Sequence, residues 1–245
     1  MSKYEAAGGH EPFVNMVHGP VNGSAVVSGT MPGSLRASLR GLVTPYRSFL
    51  KRALDVVLVG LAAAAVLPVI AVVALIIFLN DGHTPFYSQE RVGRNRRVFR
   101  MWKLRSMVID ADAALEAHLA ADPAARAEWD RHQKLRDDPR ITWIGRIIRK
   151  TSIDELPQLW NVLVGDMSLV GPRPIMTSQV GLYPCTAYYR LRPGLTGFWQ
   201  ISSRNKSTFA ERARFDRLYE GRLCFLADLA VILRTVGVVL RGTGV

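Results

Sequence analysis

Cysteine is almost absent from the 245-residue chain, which contains only Cys185 and Cys224. Two isolated cysteines provide neither a disulfide framework nor a metal-ligand spacing, and this pattern fits a reducing compartment. We therefore interpret both as small apolar residues buried in the core. Internal repeats are also absent.

Acidic residues are scarce relative to basic ones. The chain has 20 Asp and Glu against 32 Lys and Arg, which gives a formal net charge of +12. Such an excess predicts anionic partners, namely nucleic acid, a membrane surface or phosphorylated substrates, and composition does not choose among them. The hydrophobic fraction of 49% excludes a disordered protein, and the length suffices for one sizeable domain with appendages.

The N-terminal stretch lacks any sustained hydrophobic periodicity. Residues 1–44 are rich in Gly, Ser, Ala and Pro, a composition that cannot easily offset the entropy of ordering. We predict a flexible tail over residues 1–46. It is not a secretory signal, because the first long apolar run starts only near residue 53.

Charge is missing from the run VVLVGLAAAAVLPVIAVVALIIFLN, which lies between Asp55 and Asp81. Roughly 20 such residues suffice to cross a bilayer. The run therefore predicts a membrane-bound protein, and the alternative is a fully buried helix of a soluble one.

Two features indicate that this segment, placed at residues 47–80, enters the membrane without crossing it. Pro68 near its middle removes a backbone hydrogen bond, so a kink or a helix-break-helix turn is expected. Five basic residues lie on each side of it, so neither end is marked as the cytoplasmic one, and both ends are expected in the cytoplasm. Counted from the uncharged run, they are Arg36, Arg40, Arg47, Lys51 and Arg52 before it and Arg91, Arg94, Arg96, Arg97 and Arg100 after it. The alternative is a spanning helix that tolerates its proline.

The segment PFYSQERVGRNRRVFRMWKLRSM predicts a β-hairpin around a turn at Gly93-Arg94-Asn95. We assign its exposed arginines Arg94, Arg96 and Arg97 to contact with anionic lipid headgroups. Lys103 and Arg105 differ, because they flank Leu104 late in the hairpin and lead toward the body of the domain.

Two further segments are predicted to be helical. Residues 110–137 are rich in alanine and mix both charge signs, so we expect surface helices broken around Asp122-Pro123. The C-terminal run FLADLAVILRTVGVVL is apolar but short for a membrane span. It could pack in the core or lie in the membrane interface, and we favour the core.

The stretch KTSIDELPQLW, residues 150–160, sets two carboxylates side by side. Ser152 with Glu155 has the form of a capping box, and Asp154 could also serve as an N-cap, so a helix is expected to start here. Pro157 fits the first turn of that helix, and Gly165 supplies its end. The spacing alone leaves open whether the pair caps a helix or performs catalysis.

Taken together, the proline-containing membrane segment, KLRSM, DPRITWIGRIIRKTSIDELPQLWNVLVGDMSLVGPRP and RLRPGLTGFWQISSRN resemble the bacterial sugar transferase family. These are the monotopic polyprenyl-phosphate glycosyl-1-phosphate transferases, and the resemblance covers residue 47 to the C-terminus. It implies a mainly α fold with a small β-hairpin, a Pro68-kinked re-entrant helix and a cytoplasmic catalytic domain at residues 81–245. The chain departs from the family at Leu223-Cys224, where a Trp-Ser pair is common.

The resemblance also implies an activity. Family members transfer a sugar-1-phosphate from a UDP-sugar to a polyprenyl phosphate such as undecaprenyl phosphate and release UMP. We therefore expect a Mg²⁺-dependent enzyme on the bacterial inner membrane, facing the cytoplasm, that begins synthesis of an exopolysaccharide or another glycoconjugate. Membrane lipids and downstream glycosyltransferases are the expected partners. The sugar is not determined, and glucose and galactose are the first candidates by resemblance.

For the carboxylate pair, the resemblance makes Asp154 the nucleophile and Glu155 a ligand of Mg²⁺. Transfer of a phosphoryl group needs a nucleophile at phosphorus, a cation that neutralises the diphosphate, and hydrogen-bond donors around the oxygens that gain charge. Arg149 matches a family arginine near the phosphates. Further expected substrate contacts are Lys103, Arg105, Arg192, Gln200 and Arg173. The last of these is held between Pro172 and Pro174.

Two other classes of function fit parts of the sequence. A basic membrane-tethered scaffold would explain the cations, and a nucleotide-sugar diphosphatase would explain the carboxylates with water as the acceptor. The basic and aromatic interleaving of an RNA-binding module is missing, so nucleic acid is not expected as a partner.

Overall fold

The computed structural model describes residues 45–132, 135–202 and 209–240. The predicted tail lies outside the described residues except for its last two positions. In chain order the α-helices are α1 (Lys51–Asp81), α2 (Ala111–Ala121), α3 (Pro123–His132), α4 (Trp143–Lys150), α5 (Gln158–Val164), α6 (Thr186–Arg190), α7 (Phe209–Arg222) and α8 (Phe225–Leu240). The strands are β1 (Phe86–Val92), β2 (Val98–Leu104), β3 (Ser168–Val170) and β4 (Gly194–Thr196). The mainly α class with a small hairpin is confirmed.

Helix α1 carries the apolar run. It follows a short π-helical turn, Tyr46–Leu50, and its 31 residues give a length of about 46 Å. Of the helices in the described ranges, only α1 is long and apolar enough to cross a membrane. Apolar side chains along it are exposed, such as Leu61 at 73% and Leu79 at 72%. An exposed apolar surface of this length fits contact with lipid, as expected for a membrane-associated protein.

Helix α1 is continuous through Pro68. The sequence predicts either a kink at this proline or two helices joined by a turn. The second prediction is wrong, because the helix is unbroken. A proline removes one backbone hydrogen bond, and here that loss does not end the helix. The kink and the re-entrant path remain predictions.

Both halves of α1 pack on the same body of the protein. Near its start, Val59 joins a buried cluster with Phe99 and Met101 of β2. Near its end, Ile77 joins a cluster with Leu104 of β2 and Ile148 of α4. Strand β2 therefore runs beside much of the helix, which ties the two ends of α1 to one domain.

The hairpin has the predicted position and turn. Strands β1 and β2 pair in antiparallel register from Phe86 with Leu104 to Val92 with Val98. The turn between them includes Asn95 in the left-handed region, with φ 56°. In this register Arg91 is opposite Phe99, and Tyr87 is opposite Lys103. Because side chains alternate between the faces of a strand, Arg91 and Lys103 project from the same face.

Helix α8 supports the start of α1 through a buried polar network. The Asp228 carboxylate accepts hydrogen bonds from the hydroxyls of Tyr46 (2.6 Å) and Tyr219 (2.7 Å) and from the Lys51 ammonium (2.6 Å). Val231 is fully buried, whereas Leu233 on the same helix is exposed. The predicted core position of this helix is therefore confirmed for one face only.

Two smaller predictions have clear outcomes. The surface helices α2 and α3 are divided at Asp122, whose Oδ1 accepts the backbone N–H groups of Ala124 (2.8 Å) and Ala125 (3.2 Å). This break was predicted.

Cys185 is buried as predicted, but Cys224 is only half-buried, because it lies at the junction of α7 and α8.

Candidate active site

Asp154 and Glu155 lie in a single 3₁₀ turn, Ile153–Glu155, between α4 and α5. The predicted capping box is wrong: Ser152 has φ 57°, and its side chain makes no cap hydrogen bond. The Glu155 side chain bonds to Lys103 instead of reaching back to Ser152. The helix itself starts at Gln158, directly after Pro157, and ends at Gly165 with φ 94°, a left-handed conformation that favours glycine. The predicted stop is therefore confirmed.

Lys103 joins the two carboxylates. Its ammonium Nζ lies 2.8 Å from Glu155 Oε1 and 3.8 Å from Asp154 Oδ2. Strand β2 places this lysine at the turn, and its position on the cleft-facing side follows from the hairpin register. One cation thus partly balances two adjacent negative charges.

Asp154 is the more buried of the two carboxylates, with 8% of its surface exposed. Burial raises the pKa of its carboxyl from 3.8 to about 6, while the positive charges of Lys103 and Arg149 oppose the rise. Loss of hydration therefore outweighs attraction to the cations. A pKa near 6 leaves the carboxylate ionised at neutral pH and less strongly solvated than a surface aspartate, as suits a nucleophile.

Arg149 comes from the last turn of α4. The Thr142 hydroxyl caps this helix by accepting the Gly145 N–H at 3.0 Å, which fixes where the helix begins. Within the described part of the chain, Arg149 Nη1 is buried and has no hydrogen-bond partner. Its charge lowers the pKa of Asp154. The arginine thus lies within electrostatic reach of Asp154.

Two loops beside the carboxylate turn are interlocked through the parallel pair β3 and β4. Gly171 N donates to Thr196 O at 2.9 Å, and Gly194 N donates to Pro172 O at 2.8 Å. A Cβ on Gly171 would stand 2.3 Å from the Arg192 carbonyl oxygen. Only glycine permits this approach, which positions the GPRP loop and Arg173.

These elements surround a polar cleft. Its walls are lined by Arg91, Met101, Lys103, Glu155, Gln158, Arg173, Pro174, Met176, Gln179, Gly194, Leu195, Gln200 and Arg212. Arg173 and Arg212 both lie over the ring of Trp199, with their guanidinium carbons 5.5 Å and 4.8 Å from the ring centroid. Among the described residues, the lining charges are four cations against one carboxylate, so the cleft suits an anionic ligand.

The structure brings some of the predicted site residues together and separates others. Lys103, Glu155, Arg173 and Gln200 line the cleft, and Asp154 lies beside Lys103. Their roles in substrate binding and catalysis remain predictions.

Two predicted substrate contacts are directed elsewhere. Arg105 forms a bidentate pair with Asp81, with nitrogen–oxygen distances of 2.6 Å and 2.7 Å. Hydrogen bonding from this arginine lowers the pKa of Asp81 to about 2. Arg192 donates from Nε to Gly165 O at 2.9 Å. Neither is among the residues that line the cleft, because a closer acceptor satisfies each guanidinium.

Sequence reasoning missed Arg91, Gln158, Gln179 and Arg212. Arg91 was counted among the basic residues that flank the membrane segment, and Arg212 was assigned no chemistry. A signal for Arg91 existed: with the hairpin turn at residues 93–97, it shares a strand face with Lys103. No comparable signal exists for Arg212, which reaches the cleft only through the packing of α7.

The carboxylate pair fits a magnesium ion bound together with phosphate oxygens. No group of three or more His, Cys, Asp or Glu side chains that could hold a metal occurs within the described ranges. Mg²⁺ commonly binds one or two carboxylates and completes its shell with water and substrate phosphates. Glu155, with Asp154 next to it in an otherwise cationic cleft, meets that requirement only when a phosphorylated substrate supplies the other oxygens.

Comparison with known proteins gives consistent matches. Residues 46–242 match the family model described as bacterial sugar transferase. The chain is 48% identical over 199 residues to a UDP-galactose-lipid carrier transferase of Erwinia amylovora, an alignment that covers 80% of this chain and 41% of that protein. It is 45% identical over 203 residues to an undecaprenyl-phosphate galactose phosphotransferase of Salmonella typhimurium, covering 80% and 41%.

A third relative has a similar length. The exopolysaccharide production protein ExoY of Sinorhizobium fredii is 41% identical over 206 residues, covering 83% of this chain and 91% of that protein. The chain thus spans about two fifths of the two galactose-related proteins and most of the third.

Proposed function

Because the chain belongs to the bacterial sugar transferase family, we propose that it transfers a sugar-1-phosphate from a UDP-sugar to a polyprenyl phosphate and releases UMP. Undecaprenyl phosphate is the acceptor we propose, and exopolysaccharide or a related glycoconjugate is the end product. The names of the matched relatives support both choices. Two of those names specify galactose, so UDP-galactose is the first donor to test.

The observation that carries this proposal is the placement of Asp154 and Glu155 at the edge of a cationic cleft. Lys103 links the two carboxylates at 3.8 Å and 2.8 Å, and three arginines line the same cleft. A UDP-sugar brings a diphosphate that these cations can neutralise. A scaffold that binds acidic partners would need the cations, but a buried aspartate with a raised pKa is typical of a catalytic site.

In the proposed first step, a carboxylate oxygen of Asp154 attacks the phosphorus that carries the sugar. The bond from this phosphorus to the bridging oxygen breaks, and UMP leaves with the electron pair. Asp154 then holds the sugar phosphate as an acyl phosphate, with no proton transferred. In the second step, a phosphate oxygen of the polyprenyl phosphate attacks the same phosphorus, and the Asp154 carboxylate is regenerated.

Other residues support these steps. Arg149 and Lys103 stabilise negative charge near Asp154, and Arg173 holds a phosphate oxygen from the opposite loop. Glu155 would hold Mg²⁺ together with the donor phosphates, and the ion would supply further neutralisation of the diphosphate. Lys103, which bonds to Glu155 in this structure, would turn toward Asp154 or the phosphates.

We also propose that α1 is kinked at Pro68 and dips into the cytoplasmic leaflet without crossing the bilayer, so that residues 1–46 and 81–245 lie on the same side of the membrane. The packing of both halves of α1 on one domain supports this path. A helix that spanned the bilayer upright would carry one end about 30 Å away from that domain.

Thiol labelling tests this topology. Cysteines introduced at Ser34 and at His83, in a chain whose Cys185 and Cys224 are replaced by alanine, should both resist an impermeant thiol reagent in intact cells. Both should react after permeabilisation. Labelling of one site alone in intact cells would contradict the re-entrant path.

The transferase proposal is tested with purified protein, Mg²⁺, undecaprenyl phosphate and a panel of UDP-sugars. A transferase yields UMP and a lipid-linked sugar diphosphate in equal amounts. A diphosphatase yields UMP and free sugar phosphate, and a scaffold yields neither. Asp154→Asn should abolish the lipid product, whereas the matched variant Asp137→Asn, in an exposed loop, should retain it.

A further inference from the structure

Arg91 is a buried arginine whose bonding capacity is largely unused. It lines the cleft and is 9% exposed. Its Nη2 donates to Gln89 Oε1 at 2.6 Å, but within the described residues its Nε and Nη1 are buried and have no hydrogen-bond partner. Buried guanidinium donors without an acceptor are unfavourable. Such an arrangement is expected where a ligand supplies the acceptors.

Arg91 belongs to a group of three arginines, which we term the arginine cluster: Arg91, Arg173 and Arg212. All three line the same cleft. Burial and then the charge of Arg173 lower the pKa of Arg91, and burial, with a smaller contribution from Arg173, lowers the pKa of Arg212. Glu155 is the one carboxylate among the described residues that line the cleft, and it is bonded to Lys103. Three mutually repelling cations of this kind are stabilised by a bound anion such as a phosphate group.

The arginine cluster is separate from the cation that serves the carboxylates. In the hairpin Arg91 pairs with Phe99, and Tyr87 pairs with Lys103, so Arg91 and Lys103 are four residue positions apart on one face, or about 13 Å along the strand. The cleft therefore has two cationic regions. Lys103 lines the cleft beside the carboxylates, and in the proposed mechanism it acts with Arg149 on the phosphorus that Asp154 attacks. The cluster is therefore available to a second phosphate.

The stereochemistry of phosphoryl transfer determines which phosphate that is. In an in-line displacement the leaving group departs on the side opposite the nucleophile. With Asp154 as nucleophile, UMP departs opposite Asp154. In the second step Asp154 is itself the leaving group, so the polyprenyl phosphate must approach from the side that UMP vacated.

We propose that the arginine cluster is one shared subsite, which binds the uridine-bearing phosphate of the donor in the first step and the phosphate of the polyprenyl acceptor in the second. The inference rests on the proposed function and adds a substrate-binding role for Arg91 and Arg212. The uridine-bearing phosphate becomes a terminal monoester when UMP is released, and the polyprenyl acceptor presents the same group, so one set of guanidinium groups suits both. UMP must leave before the acceptor can bind, which enforces the order of the two steps.

The direct test is competition between the two phosphates in the absence of any sugar donor. Full-length protein in detergent with Mg²⁺ is equilibrated with labelled UMP and titrated with farnesyl phosphate, a short polyprenyl phosphate. Farnesyl phosphate should displace all bound UMP, and the apparent Kd for UMP should rise linearly with its concentration. Farnesol, which lacks the phosphate, should displace none. UMP that stays bound at saturating farnesyl phosphate would overturn the shared subsite.

Variants test the residues. Arg91→Gln should weaken the binding of UMP and of farnesyl phosphate alike, each by about tenfold or more, because each loses a charged hydrogen bond. Arg91→Lys should recover part of both losses. The matched control is Arg100→Gln on the exposed surface of β2, which should leave both affinities unchanged. Loss of one affinity alone would contradict the proposal.

Arg173→Gln provides a second route if Arg91→Gln does not fold, because Arg173 is exposed. This variant should also bind both UMP and farnesyl phosphate more weakly, by similar factors.

The transferase function and the shared subsite would be contradicted by different results. If wild-type protein makes no lipid-linked sugar diphosphate from any UDP-sugar, the transferase function is wrong. If wild-type protein makes this product but binds UMP and farnesyl phosphate together, only the shared subsite is wrong.

Discussion

Replacing the buried Asp154 by asparagine should stabilise the folded protein at alkaline pH. The carboxyl has a pKa of about 6 in the folded chain, compared with 3.8 as its ordinary value. Above pH 6 the folded protein must keep this carboxylate ionised although burial disfavours the charge. The asparagine side chain has nearly the same shape and no charge, and Lys103 keeps its bond to Glu155.

The size of the effect follows from the two pKa values. A rise from 3.8 to about 6 corresponds to about 3 kcal/mol of destabilisation when the group is ionised in both states. The unfolded chain loses its proton near pH 4 and the folded chain near pH 6, so stability falls as pH rises between these values. For a domain of this size, 3 kcal/mol corresponds to an increase in Tm of roughly 6–12 °C, as an upper bound.

The assay is thermal unfolding in detergent, without Mg²⁺ or substrate, at pH 8 and pH 4. The Tm of Asp154→Asn should exceed that of wild type at pH 8, and the difference should nearly vanish at pH 4. The control is Asp138→Asn. Asp138 is also 8% exposed, but hydrogen bonds from Arg140 outweigh its burial and lower its pKa. That variant should lose stability at pH 8. If Asp154→Asn is no more stable than wild type at pH 8, burial does not dominate at this carboxylate.

Three further substitutions have defined outcomes. Arg149→Lys keeps the positive charge but loses the planar guanidinium group. The kcat for formation of the lipid product should therefore fall about tenfold, while the fraction of protein that floats with membranes stays unchanged. An unchanged kcat would show that Arg149 takes no part in the reaction. Lys51→Met leaves the buried Asp228 carboxylate with two tyrosine hydroxyls as its side-chain partners. The free energy of unfolding, measured with a chemical denaturant, should therefore fall by about 3 kcal/mol. A fall of less than about 1 kcal/mol would mean that the tyrosine hydroxyls alone stabilise the buried charge. Gly171→Ala places a methyl group 2.3 Å from the Arg192 carbonyl oxygen, so Tm and kcat should both fall, and an unchanged Tm would mean the two loops can separate.

The sequence predicts the elements whose signals are local. The apolar run, the hairpin turn, the break at Asp122 and the glycine that ends α5 all depend on a few neighbouring residues, and all are present. The capping box at Ser152 was also a local prediction, and it is wrong. The reason is tertiary: Lys103, 52 residues away in sequence from Glu155, binds its carboxylate more strongly than a backbone N–H would.

The cleft itself could be predicted only in part, because its residues come from distant segments. Lys103, Glu155, Arg173 and Gln200 stand in motifs that are recognisable in the sequence. Arg212 does not, because its position depends on how α7 packs across the hairpin and the GPRP loop. Arg105 and Arg192, which the resemblance assigns to substrate binding, bond to Asp81 and to the Gly165 carbonyl in this structure, and their roles stay predictions. A basic residue near a motif can be satisfied by a nearby carboxylate or carbonyl, and periodicity gives no sign of that choice.

Release of UMP in the absence of acceptor tests the central claim, that Asp154 is the nucleophile of a sugar-phosphate transferase. Wild-type protein mixed rapidly with Mg²⁺ and the preferred UDP-sugar, without polyprenyl phosphate, should release UMP in a burst close to one equivalent per active site. Asp154→Asn should give no burst, because an amide cannot form the acyl phosphate. A wild-type enzyme that turns over normally with acceptor but releases no UMP without it would contradict the account, and would leave Asp154 to orient the acceptor in a ternary complex.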